Sequence, residues 1–142
     1  MSDIFDKIIE GEIPSYKVYE DENVLAFLDI SQVTPGHTLL VPKKHVTNIF
    51  DYDDETAEKV LLVLPKLARA IRSTNPKITG MNISSNNGVS AGQTVMHSHW
   101  HLIPRYDDDN LNETLVLTID HSDDYNQARY EEIAAEIKKA LN

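Results

Sequence analysis

Gln93-Thr94-Val95-Met96-His97-Ser98-His99-Trp100-His101-Leu102-Ile103-Pro104-Arg105 carries three of the chain's six histidines at alternate positions. In a β-strand successive side chains point to opposite faces. The spacing therefore predicts a strand over 95–103 with His97, His99 and His101 on one face, neighbours about 7 Å apart. Imidazole titrates near neutrality and can act as nucleophile, proton shuttle or metal ligand. A single histidine is usually a hydrogen-bonded structural residue, but three in strict alternation, followed by an apolar pair, mark a functional site.

Immediately before this run lies Asn86-Asn87-Gly88-Val89-Ser90-Ala91-Gly92, a loop of small residues that lets backbone come close to a ligand. Its N–H groups, with the Gln93 amide and the Thr94 hydroxyl, can hold anionic oxygens without a basic patch. Residues 80–85 read as the strand entering that loop. Further upstream, 16–20 and 24–30 form an antiparallel hairpin, Thr34-Pro35-Gly36-His37 a turn, and 38–41 a short strand closed by Pro42.

Helical spacing appears in three places. Ile4-Phe5 and Ile8-Ile9 give a short N-terminal helix ended by Gly11. From Asp53, Ala57, Val60, Leu61, Leu64, Leu67, Ala68 and Ile71 outline the principal helix, where Pro65 imposes a kink near 61–64 or a junction of two helices. Tyr130, Ile133, Ala134, Ile137 and Leu141 outline a C-terminal helix beginning at Asp123 or Asp124, and 114–119 is a further candidate strand. The order of elements lacks regular βαβ alternation and predicts an α+β fold. An antiparallel sheet of about five strands carries the principal helix, with a short N-terminal helix and a C-terminal one.

At 142 residues the chain is expected to form one domain, 1–142. Thirteen basic against twenty-three acidic residues give a net charge of -10, which argues against nucleic acid or an anionic membrane as partner. Cysteine is absent, which removes disulfides, thiol catalysis and thiolate zinc sites. The start, Met1-Ser2-Asp3-Ile4-Phe5-Asp6, has no basic stretch leading into an apolar one, and no apolar run approaches the length of a membrane span, so a cytoplasmic location is expected. Asp107-Asp108-Asp109 reads as a solvated loop, with a hard cation as the alternative.

Three co-facial imidazoles fit two mechanisms: zinc activating water, or one imidazole attacking phosphorus while its neighbours orient it and donate to phosphate oxygens. Spacing leaves both open. The wider pattern favours the second. Lys7-Ile8-Ile9-Glu10-Gly11-Glu12-Ile13-Pro14-Ser15, Ala26-Phe27-Leu28-Asp29-Ile30, Pro35-Gly36-His37-Thr38-Leu39-Leu40-Val41-Pro42-Lys43-Lys44-His45 and Gly92-Gln93-Thr94-Val95 before the triad closely resemble the histidine-triad (HIT) family. The resemblance runs over 4–105 and leaves 106–142 as a C-terminal extension.

The resemblance implies a purine nucleotide hydrolase or nucleotidyl transferase in which His99 attacks the α-phosphorus and carries a nucleotidyl intermediate. His97 and His101 would orient His99 and stabilise phosphate, and His45 would complete the group. Asn86, Gln93 and Thr94 match phosphate or leaving-group contacts, and Asp29 matches the carboxylate that holds ribose hydroxyls. Ile4, Phe5, Ile8 and Phe27 match the base pocket. No cofactor is implied, and a homodimer is. The leading substrate class is adenosine 5'-phosphoramidates, the alternatives being dinucleoside polyphosphates or a nucleotide-binding regulatory module with incidental turnover. Relatives that bind structural zinc use two cysteines where this chain has Asp3 and Asp6, together with residues matching His45 and His97. Carboxylates suit zinc less well than thiolates, so no metal is expected.

Overall fold

The computed structural model describes residues 2–111 and 119–142. One antiparallel sheet contains β1 (Lys17–Glu20), β2 (Val24–Leu28), β3 (Thr38–Pro42), β4 (Ile78–Ser84) and β5 (Trp100–Tyr106), in the order β1-β2-β3-β5-β4. The helices are α1 (Ile4–Ile9), α2 (Asp54–Leu61), α3 (Val63–Ser73) and α4 (Gln127–Leu141). The α+β fold read from the sequence is the one observed.

The two-residue period of β2 and β3 divides the core into two layers. Val24, Ala26, Leu28 and Leu40 point toward α2, α3 and α4, packing with Leu67, Ile71, Tyr130 and Ile137. Leu25, Phe27, Leu39 and Val41 point the other way and pack with Phe5 and Ile8 of α1. Every residue of β2 and β3 is buried, as expected for central strands covered on both faces. The β1–β2 turn is held by the Asp21 carboxylate, which accepts from the N–H groups of Asn23 (2.7 Å) and Val24 (2.9 Å).

The principal helix is two helices that meet at Leu62. Asp53 caps the first, its carboxylate accepting from the Thr56 N–H at 2.7 Å. Pro65 is the third residue of the second, a position whose N–H would have no partner within the helix. α4 begins later than Asp123 or Asp124: those residues form a single 3₁₀ turn, Ser122–Asp124, and Asn126 caps the helix through the Arg129 N–H at 2.8 Å. The candidate strand over 114–119 lies outside the described residues except for Ile119, which packs with Val33 and Ile103.

The histidine strand is shorter than its alternation predicts. Pairing with β3 runs through Thr38↔Leu102, Leu39↔His101 and Leu40↔Trp100 and then stops. Upstream of Trp100 the chain is held by loop residues instead, the Ser98 N–H donating to the Val46 carbonyl at 2.7 Å. His97 and His99 thus lie in an irregular segment leading into β5, bent at 95–97, and only His101 is on the strand.

The acidic triplet is a paired turn. Asp109 binds the Arg105 guanidinium at 2.9 Å and Asp108 binds Lys77 at 2.9 Å. Among the described residues no helix is long and apolar enough to cross a membrane.

Candidate active site

A cavity of about 440 Å³ opens on the α1 side of the sheet. Its floor is Phe27 and Leu39; one wall is Ile4, Phe5 and Ile8; Ile13, Pro14, Ser15 and Ile30 form its far end; Asp29, Thr94, His99 and His101 supply the polar edge. A larger cleft of about 670 Å³, between α4 and residues 14–17, carries none of the histidines.

At the polar edge, His99 Nδ1 lies 2.8 Å from the His97 carbonyl oxygen. A carbonyl only accepts, so Nδ1 carries the proton and the free lone pair is on Nε2. Burial lowers the pKa of His99; the bond to the His97 carbonyl pulls the other way and is the weaker influence. The ring is therefore neutral at pH 7, with one nucleophilic nitrogen. Phe5 meets it edge-on at 5.0 Å between ring centres and meets His97 at 5.8 Å, so α1 fixes both rings.

His101 is oriented by His37, a residue that the sequence reading quoted but assigned no role. The Val33 N–H donates to His37 Nδ1 at 3.2 Å, which puts the His37 proton on Nε2, and Nε2 lies 2.9 Å from His101 Nδ1. His101 accepts there and keeps its own proton on Nε2, as a donor at the cavity wall. Burial pushes both rings down to about 4, aided for His101 by the neighbouring His37 and His99. Asp29 sits beside this pair, its Oδ2 lying 3.5 Å from His37 Nε2 and 3.8 Å from His101 Nδ1. Burial raises the Asp29 pKa, opposed by the Ser31 N–H, which donates to Oδ1 at 2.8 Å.

His45 packs on His97, with ring centres 5.0 Å apart, and does not line the cavity. It stands behind His97, half exposed, with Nδ1 at 3.3 Å from Asp3 and 3.4 Å from Asp6. His97 is fully buried; its Nε2 lies 2.8 Å from the Pro42 carbonyl, while its Nδ1 lies 3.2 Å from Asp3 and 3.3 Å from Asp6. Asp3 and Asp6 also cap α1 reciprocally, so this quartet ties α1 to the histidine segment. The two nitrogens of His97 thus face oxygen atoms, Nε2 the Pro42 carbonyl and Nδ1 the two carboxylates. The donor atoms of Asp3, Asp6, His45 and His97 lie within 4.8 Å of one another, and two oxygens with two imidazole nitrogens form a set that zinc accepts. Two carboxylates with two imidazoles thus make a donor set that fits a divalent cation, where the sequence led to the expectation of none.

The loop residues separate by role. Thr94 lines the cavity. Gln93 is buried and fully engaged, donating to the Thr47 (2.6 Å) and Val95 (3.0 Å) carbonyls and accepting from the Gly88 N–H (2.8 Å) and Asn48 (3.3 Å). It shapes the loop and does not face the cavity. Asn86 packs against Gly92, which is left-handed at φ +91°; a side chain there would also meet the Asn86 amide at 3.2 Å. On the opposite face, Tyr52 ties Ser98 (2.7 Å) to the Trp100 indole (3.1 Å).

A family model described as HIT domain matches residues 10–108. The chain belongs to the HIT family. It is 51% identical over 138 residues to "Protein hit" of Bacillus subtilis, a match spanning 97% of this chain and 93% of that one. It is 39% identical over 108 residues to adenosine 5'-monophosphoramidase HNT1 of Candida albicans, spanning 74% and 71% of the two chains. The crystal structure of a zinc-bound histidine triad family protein from Mycobacterium smegmatis superposes with a TM-score of 0.82 at 37% identity, covering 99% of this chain and 94% of that one. Ile13, Ser15 and Ile30, which line the cavity of this HIT protein, and His37, buried behind His101, had no role assigned from the sequence. His37 has a recoverable signal: it immediately precedes β3, whose register sets Leu39 opposite His101.

Proposed function

We propose that the protein hydrolyses purine nucleotides substituted on the α-phosphate, adenosine 5'-phosphoramidates being the favoured class. The observation that carries this reading is the tautomer of His99, whose Nδ1 proton is committed to the His97 carbonyl and whose Nε2 is left free at the cavity. Nε2 attacks the α-phosphorus; a P–N bond forms as the bond to the leaving group breaks, and the departing amine takes a proton from solvent, which is returned when water attacks in the second step. Water then attacks the nucleotidyl-His99, releasing the nucleotide and restoring the ring. His101, donating from Nε2, stabilises charge on the phosphate oxygens, and Thr94 adds a hydroxyl beside them.

Asp29 takes the ribose hydroxyls, and Phe5, Ile8, Ile13, Phe27 and Ile30 enclose the base. Ile30 is 64% exposed, and a bound base would cover it. With a net charge of -10, the anion is held by local donors and not by a basic surface. A cation on the Asp3, Asp6, His45 and His97 quartet would brace α1 against the histidine segment. A second copy would cover Ile83 on the edge strand β4 and Leu62 at the α2–α3 junction, both exposed.

Steady-state hydrolysis of adenosine 5'-phosphoramidate, set against diadenosine polyphosphates, tests the reading. It expects the higher kcat/KM for the phosphoramidate and loss of turnover in His99→Ala. Preference for the dinucleotides would move the substrate class, and nucleotide binding without turnover would make the triad a ligand platform.

A further inference from the structure

Residues 119–142 lie beyond the 10–108 stretch matched by the family model, yet they hold the loop that carries Asp29. The Tyr130 hydroxyl donates to the Ile30 carbonyl at 2.7 Å, and the His121 N–H donates to the Gln32 carbonyl at 3.0 Å. His121 Nδ1 lies 2.9 Å from the Val33 carbonyl and donates to it. Three of the four carbonyls over 30–33 are thus taken by the C-terminal segment.

The same loop turns its other groups toward the site. The Ser31 N–H binds the Asp29 carboxylate at 2.8 Å. The Gln32 amide donates to the Asp29 carbonyl and, at 2.7 Å, to that of His37, and its oxygen accepts from the Gly36 N–H at 2.9 Å. Tyr130 has little freedom to release its end. It is buried and stacked between Tyr16, at 4.9 Å and 12°, and Tyr125, at 5.4 Å.

We infer that the C-terminal segment is a clamp that positions Asp29 for the ribose, with Tyr130 and His121 as positioning residues that never touch substrate. This rests on the proposed nucleotide site. It assigns the segment a part in sugar recognition from the face of the sheet opposite the cavity. The consequence is selective: loosening the 30–33 loop weakens the contact to the ribose hydroxyls, while His99, held by the His97 carbonyl, keeps its geometry.

The test compares AMP with 2′-deoxy-AMP by calorimetry, and kcat with KM for the corresponding phosphoramidates, in wild type, Tyr130→Phe, His121→Phe and the control Tyr125→Phe. Loss of one such hydrogen bond corresponds to about a three- to tenfold weakening. In Tyr130→Phe and His121→Phe, the preference for AMP over 2′-deoxy-AMP is expected to shrink by that factor. KM for the ribonucleotide rises with it, kcat stays within about twofold, and Tyr125→Phe behaves as wild type. A preference unchanged in both clamp variants, even with a lowered Tm, overturns the clamp and leaves the contacts purely structural. So does a wild type that does not distinguish the two nucleotides. Absence of turnover with the ribose preference intact would instead refute the hydrolase reading and leave the clamp standing.

Discussion

Acidification should destabilise this protein through His37 before its carboxylates titrate. The ring is buried and held at about 4, against 6.5 in an unfolded chain. Between those values the unfolded state binds more protons than the native state. Stability is therefore flat above pH 6.5, falls as the pH drops toward 4, and levels off below for this group. The full separation is worth about 3 kcal/mol at ~1.4 kcal/mol per tenfold, of which about 2 kcal/mol is already lost at pH 5. His101 is likewise held to about 4, so the clean quantity is a difference between two proteins. His37→Asn keeps an acceptor for the Val33 N–H without a titrating ring. Urea unfolding between pH 7 and 4.5, followed by fluorescence of Trp100, the chain's one tryptophan, gives both curves. Wild type should lose about 2 kcal/mol more than His37→Asn between pH 7 and 5. Parallel curves would refute the account of His37 as a buried neutral relay.

The depressed pKa of His99 places the acid limb of kcat/KM below pH 6.5, where protonation removes the Nε2 lone pair; a limb at or above 6.5 would contradict this. Leu67→Ala, in the fully buried layer between α3 and the sheet, should cost about 3 kcal/mol in urea unfolding with kcat unchanged. Tyr52→Phe leaves the Ser98 hydroxyl and Trp100 indole without their shared partner. It should cost about 1–2 kcal/mol and shift the tryptophan emission, and unchanged emission would count against the network.

Local pattern carried much of this architecture. The Pro65 break and the alternating core residues of β2 and β3 follow from periodicity and backbone chemistry that the chain displays within a few residues. What sequence did not reveal depends on partners far along the chain. The strand before Trp100 is lost because the Ser98 amide is taken by Val46. The pairing of His37 with His101 spans 64 positions. Gln93 reads as a ligand-facing amide but is consumed by Thr47, Asn48 and Gly88, contacts that a local reading cannot foresee. Asp123 and Asp124 look like caps, yet Asn126 has the extended backbone that a cap requires.

The most direct measurement is the intact-protein mass after rapid mixing with adenosine 5'-phosphoramidate and an alkaline denaturing quench on the millisecond scale, which preserves a P–N bond, for wild type and His99→Ala. The account predicts a transient gain of one adenylyl group on wild type, decaying as AMP is released, and no gain on the variant. Turnover by wild type with no adduct at any time, or an adduct that persists in His99→Ala, would contradict covalent catalysis through His99.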